Sequence, residues 1–350
     1  MKKNELFFPS KDKKTNIHMV IWEPDNEVLG VIEVVHGVTE HIMRYEEMAY
    51  FFTNRGIAVV GIDLLGHGLS TDNGNKVMYF GKSGSWDYVV DDVERCLVHA
   101  KELYPDIPVI MLGFSLGSFL VRTHMIRKPG FVDGVVLVGT GYNSNFEILL
   151  ARSVVRSETN KYGDNVATDK IRNLTFGMYN KKFKPNKTDY DWLCSDEEAL
   201  DEYINDELVG KNMTVGLFRE LLDGMKFTCD KKNNRKVDYT KPILLLSGEK
   251  DSVGKNGKGI DKVYKLYKSV GVQDVSVKVY DGLRHAILHE KNHFSIFEDI
   301  YNWMKARRLI MDPKKVIKDE VRAVKAAIKQ KKSEKTLADS KSVKSILSKE

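Results

Sequence analysis

Residues 109–119 constrain the fold of this chain most, because four apolar residues run directly into Gly113-Phe114-Ser115-Leu116-Gly117. A short apolar run that ends at a glycine predicts a buried β-strand, and residues 118–127 predict a helix. A strand that turns sharply into a helix can hold one residue in a strained conformation with its side chain exposed. The residues two before and two after it must then lack a Cβ. The spacing therefore predicts an exposed, reactive hydroxyl group on Ser115.

Short apolar runs alternate with longer amphipathic segments, a pattern typical of a mostly parallel sheet flanked by helices. We expect strands at residues 17–22, 31–35, 58–62, 109–112, 135–138, 243–246 and 275–279, and helices at 44–55, 86–103, 118–127, 260–269 and 293–307. The alternation stops between Gly139 and Pro242, where charged and helix-forming residues dominate. A structureless loop of that length is improbable in a compact domain, so we expect an inserted helical segment.

Composition and charge exclude several classes of protein. The chain has 350 residues, of which 42% are hydrophobic, enough for a sizeable core. Its formal charge is +6, but residues 314–350 alone hold eleven Lys and one Arg against five acids. The rest of the chain is therefore nearly neutral, and we expect no nucleic-acid partner.

In the tail, Ile317, Val321, Val324 and Ile328 are spaced to form an apolar stripe on a helix. The tail is either a solvated helical extension or a basic helix that docks on an acidic surface.

The N-terminal segment and the cysteines favour a cytoplasmic protein. Residues 1–14 carry charges on both sides of a short apolar stretch and lack the roughly 7 to 15 apolar residues of a secretory signal. No segment approaches the roughly 18 apolar residues that span a membrane. Cys96, Cys194 and Cys229 are widely spaced and odd in number, which fits a reducing compartment.

A serine hydroxyl is a poor nucleophile until a histidine takes its proton and a carboxylate orients that histidine. Hydrolases with a strand–turn–helix serine present these groups in the order Ser, acid, His, on loops that follow strands. Asp251 follows one predicted strand and is the candidate acid, with Glu249 less well placed. His285 follows the next strand and is the candidate base. Asp281 is closer in sequence to His285, but it precedes a glycine and suits a turn.

The attacked carbonyl oxygen becomes an oxyanion, which needs two backbone N–H donors. Loss of one donor typically costs roughly 3 kcal/mol of barrier. The amide of Leu116, directly after the nucleophile, is one candidate. The second donor should come from a loop after an early strand. There Gly37 permits a turn, and the amide of Val38 is the candidate.

The motifs resemble those of the monoacylglycerol lipase and lysophospholipase branch of the α/β-hydrolase family. The matching segments are His36-Gly37-Val38-Thr39-Glu40-His41 with Arg44-Tyr45, Asp63-Leu64-Leu65-Gly66-His67-Gly68-Leu69-Ser70, Gly113-Phe114-Ser115-Leu116-Gly117, Gly248-Glu249-Lys250-Asp251 and Gly282-Leu283-Arg284-His285. The resemblance covers about residues 15–307. One departure is Ala286, where bacterial members often have Glu after the catalytic histidine.

The resemblance implies an α/β-hydrolase core formed by residues 1–142 and 239–310, with a helical cap at 143–238 between the sixth and seventh strands and a Lys-rich tail at 311–350. In that family the cap shapes the acyl pocket, the elbow serine is acylated, and the His-Gly loop donates to the oxyanion. The corresponding residues here are Ser115, Asp251 and His285 for catalysis, Val38 and Leu116 for the oxyanion, and Gly113 and Gly117 at the elbow.

Three alternatives remain open. His285, His289 and His293 are spaced to line one helix face as metal ligands, although no Cys or carboxylate completes a site. Residues 188–210 contain nine acids and no Lys or Arg. These acids form either a solvated helical face or, if they point inward, a site for a cationic group, as in proline iminopeptidases. The third alternative is a catalytically silent scaffold that binds a partner through its basic tail.

The sequence thus predicts a cytoplasmic serine hydrolase that cleaves carboxylic esters of medium or long acyl chains, of monoacylglycerol or lysophospholipid type. We expect neither a metal nor an organic cofactor. Besides its lipid ester substrate, the protein could contact a membrane surface transiently through the cap or the basic tail.

Overall fold

A single sheet organises the protein, whose computed structural model describes residues 1–71 and 78–313. Within these residues the sheet has eight strands in the order β1-β2-β4-β3-β5-β6-β7-β8. The strands are β1 (Lys2–Pro9), β2 (Asn16–Glu23), β3 (Gly30–Val35), β4 (Ile57–Ile62), β5 (Val109–Phe114), β6 (Gly134–Val138), β7 (Ile243–Gly248) and β8 (Val275–Tyr280). β1 pairs with β2, and β2 with β4, in antiparallel fashion, and every other pairing is parallel.

Long helices cover both faces of the sheet. They are α1 (Glu46–Thr53), α2 (Trp86–Leu103), α3 (Leu116–Arg127), α10 (Lys258–Ser269) and α11 (His293–Ala306). Successive side chains of a strand point to opposite faces. Val31 and Val35 of β3 therefore pack in one core cluster with side chains of α2, α3 and α10, whereas Ile32 and Val34 pack in another with those of α1 and α11. The central strands are buried on both sides, as their continuous apolar runs predict.

All the predicted strands and helices are present, with bounds within two residues of those expected. Strand β1 was not predicted from the sequence, because it is polar and largely exposed. Its residues Lys2, Lys3 and Glu5 are exposed, while Phe8 is buried. Charged side chains suit such an edge strand because they oppose pairing with another chain.

The chain between β6 and β7 is helical. It contains α4 (Asn145–Tyr162), α5 (Asp169–Arg172), α6 (Met178–Asn180), α7 (Glu197–Asn205), α8 (Val215–Cys229) and α9 (Lys231–Asn234). These helices lie inside the predicted insertion at 143–238, which we call the cap segment. No strand lies in this part of the described chain, although Ala167 and Thr214 form an isolated bridge.

Helix α8 joins the cap segment to the rest of the protein. A Cβ on Gly224 would lie 2.2 Å from the Trp86 ring, so the helix and the ring are in close contact. Arg122 of α3 is fully buried and donates to Thr228 O of α8 at 2.8 Å and to Gly141 O at 2.9 Å. These bonds connect the helix that follows Ser115 to the cap segment.

Two further predictions concern the C-terminal tail and membrane association. The tail's apolar stripe at residues 317–328 lies outside the described residues. Among the residues that are described, no helix combines the length and the apolarity needed to cross a bilayer.

Candidate active site

Ser115 lies at the junction between β5 and α3, in a conformation that serine rarely adopts. Its φ is 50° and its ψ is −115°. A Cβ on Gly113 would lie 2.6 Å from Gly117 O, and a Cβ on Gly117 would lie 2.0 Å from Val35 O. Both distances are impossible for real side chains, so the close approach of strand and helix requires glycine at both positions. The turn predicted from the glycine spacing is therefore present.

His285 links Ser115 to Asp251 through both ring nitrogens. Its Nε2 lies 2.9 Å from Ser115 Oγ, and its Nδ1 lies 2.9 Å from Asp251 Oδ1. Because a carboxylate only accepts hydrogen bonds, the Nδ1–H donates to Asp251, and Nε2 is left to accept the Ser115 proton. The imidazole and the carboxylate are buried, and Ser115 is only 9% exposed. This differs from the exposed hydroxyl expected from the glycine spacing, because Trp192, Leu200 and Tyr203 of the cap segment line the small cavity at the serine. The structure thus brings the three predicted residues together.

The Asp251 carboxylate is fixed by donors other than His285. Its Oδ1 accepts from the amides of Val253 at 2.8 Å and Gly254 at 3.0 Å, and its Oδ2 accepts from Ser247 Oγ at 3.3 Å. These donors hold the carboxylate in a fixed orientation towards His285. The other two acids considered from the sequence lie elsewhere. Glu249 is exposed and accepts from Gly282 N at 3.0 Å, and Asp281 is exposed.

Residues 36–41, which we call the oxyanion loop after the role predicted for Val38, follow β3, and Val38 lines the same cavity as Ser115. His36 Nε2 accepts from Leu64 N at 2.9 Å, so its Nδ1–H donates to Gly37 O at 2.7 Å. Gly37 N donates to Glu40 Oε1 at 2.6 Å. Burial, reinforced by the nearby His67, lowers the pKa of His36 to about 3, so this ring stays neutral and holds the loop.

The two candidate oxyanion donors, Val38 and Leu116, reach the neighbourhood of Ser115 from different elements. Val38 lines the cavity that contains Ser115 and His285. Leu116 is the first residue of α3, where an amide has no acceptor within the helix. Both residues thus lie near the serine, and the role of their N–H groups in binding an oxyanion stays a prediction.

The three histidines considered as metal ligands have different partners. His285 contacts Ser115 and Asp251. His293 Nδ1 donates to Glu290 O at 2.7 Å, and its Nε2 lies 3.1 Å from a carboxylate oxygen of Glu47. Within residues 1–71 and 78–313, no group of three His, Cys, Asp or Glu side chains is arranged to hold a metal ion. The described structure therefore gives no support to the metal alternative.

Trp192 of the cap segment packs against His285, a contact that was not predicted from the sequence. Its ring stacks on His285 with centroids 5.4 Å apart and on Phe176 with centroids 5.5 Å apart. Tyr179 packs against the same tryptophan at 5.2 Å. The aromatic residues of the insertion were the available signal, but periodicity does not show which of them reaches His285.

Two cavities lie next to this aromatic group. The cavity beside Ser115 has a volume of about 20 Å³, which is room for one water molecule. The second cavity measures about 450 Å³ and lies between the cap segment and the strand-end loops. Its apolar lining includes Phe119, Ile148, Leu150, Ala151, Val154, Leu174, Met178, Phe218, Leu222 and Met225. Ser252 and Val253, which directly follow Asp251, line the same cavity.

The nine acids of residues 188–210 are either exposed or engaged in hydrogen bonds within the protein. Asp189, Glu197, Glu198, Asp201, Glu202 and Glu207 are exposed. Asp191 accepts from the amides of Lys187 and Thr188, and Asp196 caps α7. Asp206 contacts His41 of the oxyanion loop. None of these nine described acids lines either cavity, which favours the solvated-face interpretation.

Comparison with known proteins identifies the family. A sequence profile of the family described as serine aminopeptidase, S33, matches residues 26–292, about three quarters of the chain. The chain is 26% identical over 287 residues to a monoacylglycerol lipase of Mycolicibacterium smegmatis, covering 81% of this chain and 91% of that protein. It is 27% identical over 291 residues to the monoglyceride lipase of Homo sapiens, covering 82% and 86%.

Solved structures agree with this result. A carboxyl esterase from Bacillus coagulans, solved in complex with glycerol, has a TM-score of 0.81 and 25% identity, covering 88% of this chain and 99% of that one. The mostly parallel sheet flanked by helices, which the sequence predicts, is the fold of these proteins. The chain therefore belongs to the serine aminopeptidase S33 family of α/β-hydrolases.

Proposed function

We propose that the protein is a cytoplasmic serine hydrolase that cleaves carboxylic esters of medium or long acyl chains, of monoacylglycerol or lysophospholipid type. The proposal rests mainly on two hydrogen bonds of His285. Its Nε2 lies 2.9 Å from Ser115 Oγ, and its Nδ1 lies 2.9 Å from Asp251 Oδ1. The names of the relatives, monoacylglycerol lipase and monoglyceride lipase, agree with the carboxylic ester hydrolase predicted from the sequence.

Acylation begins when Ser115 Oγ attacks the ester carbonyl carbon and His285 Nε2 takes the hydroxyl proton. Asp251 holds the ring in the correct tautomer and stabilises the imidazolium. The amides of Val38 and Leu116 donate to the oxyanion of the tetrahedral intermediate. When the intermediate collapses, the bond to the alcohol oxygen breaks and His285 returns its proton to that oxygen. The alcohol leaves, and the acyl group remains on Ser115.

Deacylation repeats these steps with water as the nucleophile. His285 Nε2 takes a proton from the water molecule as its oxygen attacks the acyl carbonyl. Collapse of the second intermediate breaks the bond to Ser115 Oγ, which recovers the proton from His285. The products are a carboxylic acid and the regenerated enzyme, and the cycle consumes one water molecule.

The cavity of about 450 Å³ supports an acyl chain as the ligand. Ligand pockets of this size that are lined by apolar side chains bind mainly through burial of apolar surface. The acidic Glu147 and the basic Lys255, which line the same cavity, form an ion pair at 2.5 Å. Burial alone would raise the pKa of Glu147, but the ion pair with Lys255 and the hydrogen bonds from Ser144 outweigh it. The pKa is thereby lowered to about 2. Its charge is thus compensated by the protein.

The residues that line the cavities give little support to the peptidase alternative. A peptide amino terminus needs an acid that is free to bind it, and none of the nine acids of residues 188–210 lines either cavity. Glu40 borders the cavity at Ser115, but it accepts from Gly37 N and from Tyr45 Oη. The assembled serine, histidine and aspartate also argue against a catalytically silent scaffold.

The cap segment supports the proposed transient contact with a membrane surface. Phe146 is 68% exposed and Leu149 is 66% exposed on α4, whose residues also line the larger cavity. Exposed apolar side chains beside a ligand cavity suit a surface that receives a lipid substrate. Sedimentation with lipid vesicles tests this part, and equal sedimentation of a Phe146→Ser/Leu149→Ser variant would contradict it.

A substrate panel tests the proposed function. It compares aryl esters of increasing chain length, a monoacylglycerol, lysophosphatidylcholine and a prolyl arylamide, with Ser115→Ala as the inactive reference. We expect hydrolysis of the esters, with kcat/KM rising from short to medium or long chains. A preference for the prolyl arylamide would overturn the lipid ester assignment while leaving the nucleophile in place.

A further inference from the structure

The oxyanion loop has a second set of contacts, which reach the cap segment. Thr39 Oγ1 lies 2.6 Å from Tyr203 Oη. Gly210 N donates to Thr39 O at 2.8 Å, and His41 Nε2 lies 2.6 Å from Asp206 Oδ2. Core residues hold the other side of the loop, because Leu64 N donates to His36 Nε2 at 2.9 Å and Tyr45 Oη donates to Glu40 Oε1 at 2.7 Å. Val38 therefore lies in a loop that is bound by the core on one side and by residues 203–210 on the other.

Thr39 itself has a conformation that needs external support. Its φ is 70°, in the left-handed region that β-branched residues rarely adopt. Such a conformation persists when surrounding contacts hold it in place. The Thr39 hydroxyl donates to Val38 O, so its oxygen accepts the hydrogen bond from Tyr203. Tyr203 thereby fixes a side chain that in turn fixes the carbonyl group of Val38.

The surroundings of Tyr203 hold its hydroxyl group in place beside Thr39. It is 6% exposed and lines the cavity that contains Ser115. The Arg44 guanidinium lies 5.1 Å from the centre of its ring, and the Tyr190 ring packs against it at 5.4 Å. Burial raises the pKa of its hydroxyl, so Tyr203 remains a neutral donor at ordinary pH.

We propose that Tyr203 and Asp206 are positioning residues that aim the Val38 N–H at the oxyanion, acting through Thr39 and His41. The inference rests on the proposed function, because it requires Val38 to be an oxyanion donor. Charge on the carbonyl oxygen develops only in the transition state, so a misplaced donor slows the reaction more than it weakens substrate binding. The cap segment then contributes to the chemical step as well as to the acyl pocket.

The first test measures kcat and kcat/KM on a short-chain aryl ester for Tyr203→Phe and Asp206→Ala. We expect both constants to fall by the same factor, about tenfold, which is less than the roughly hundredfold cost of losing an oxyanion donor outright. The matched controls are Tyr239→Phe, whose side chain is 55% exposed, and Asp201→Ala, on the exposed face of α7. We expect wild-type constants for both controls.

A double-mutant cycle tests the route through Thr39. Thr39→Val removes the hydroxyl and keeps the side-chain shape, whereas Thr39→Ser keeps the hydroxyl. We expect Thr39→Val to resemble Tyr203→Phe, Thr39→Ser to stay within about twofold of wild type, and the double variant Thr39→Val/Tyr203→Phe to be no slower than either single variant. Multiplicative losses in the double variant would overturn the shared route.

The outcomes separate this inference from the proposed function. An active Ser115→Ala would overturn both. If Ser115→Ala is inactive while Tyr203→Phe and Asp206→Ala keep the wild-type kcat, or change KM alone, only the positioning role is overturned. A cooperative urea unfolding curve for each variant tests whether that variant is folded. If Tyr203→Phe fails this control, Asp206→Ala and the two Thr39 variants decide the question.

Discussion

His285 Nε2 lies 2.9 Å from Ser115 Oγ, although 170 residues separate them in the chain. The serine is held at the end of β5 and the histidine follows β8. Parallel strands end at the same edge of a sheet, so loops far apart in sequence meet there. The cap segment lies between these two strands in the chain, and its Trp192 ring stacks on the His285 ring.

The choice of acid is tested by Asp251→Asn. An amide in this position no longer holds the histidine in the required tautomer, so we expect kcat on an aryl ester to fall by about 10³ to 10⁴ with the fold unchanged. Glu249→Gln is the matched control, because Glu249 is exposed and accepts from Gly282 N. If Glu249→Gln were the inactive variant, the assignment of the acid would be wrong.

The choice of base is tested by comparing His285→Ala with His289→Ala. We expect His285→Ala to lose at least about a thousandfold in kcat, because the Ser115 proton then has no acceptor. Burial, with a further effect of Arg44, lowers the pKa of His289 well below the ordinary value. This ring is neutral and does not contact Ser115 in the described hydrogen bonds, so His289→Ala should retain much more activity. The reverse order of activities would contradict the account.

Gly117→Ala tests the close packing at the nucleophile turn. The added Cβ would lie 2.0 Å from Val35 O and 2.6 Å from His36 O, both backbone atoms that cannot rotate away. We expect the free energy of unfolding to fall by at least about 3 kcal/mol, or folding to fail. Gly141→Ala is the control, because the nearest atom to its added Cβ is 3.5 Å away. Equal urea midpoints for the two variants would contradict the packing argument.

A pH-dependent stability effect is expected from Glu33, in the centre of β3. The side chain is 1% exposed, and neither carboxyl oxygen has a well-formed hydrogen bond among the described residues. Burial raises its pKa well above the ordinary value, and the Cys96 thiol opposes this rise without cancelling it. The folded state therefore holds a proton that the unfolded state releases above about pH 4.5.

The sign follows from this difference in proton binding. The protonated carboxyl is tolerated at low pH, and stability is lost as the pH rises from the unfolded pKa towards the folded one. We expect Glu33→Met to remove this loss and to be more stable than wild type by about 1 kcal/mol or more at pH 7. Urea unfolding at several pH values measures the effect. Parallel pH profiles for the two proteins would contradict it.

The local features of the site could be predicted from the sequence. The elbow at Ser115 follows from two glycines in fixed positions, and Asp251 and His285 follow from their place after apolar strands. Each of these inferences uses residues close together in the chain. The strand β1 was missed because its side chains are mostly polar and exposed, so it lacks the apolar run on which the other predictions rest.

The contacts of the cap segment could not be predicted in this way. Trp192 reaches His285 across 93 positions and Tyr203 reaches Thr39 across 164. Helical periodicity identifies an apolar face, but it does not say which distant residue that face will meet. The positive φ of Thr39 was also hidden, because a β-branched residue gives no local signal for a left-handed conformation.

The most direct test of the account is labelling with a fluorophosphonate, followed by mass spectrometry of the labelled peptide. We expect one adduct on Ser115 in the wild-type protein, no adduct in Ser115→Ala, and a fall of at least about a thousandfold in ester turnover for that variant. An adduct on another residue, or ester turnover that survives in Ser115→Ala, would contradict the central claim.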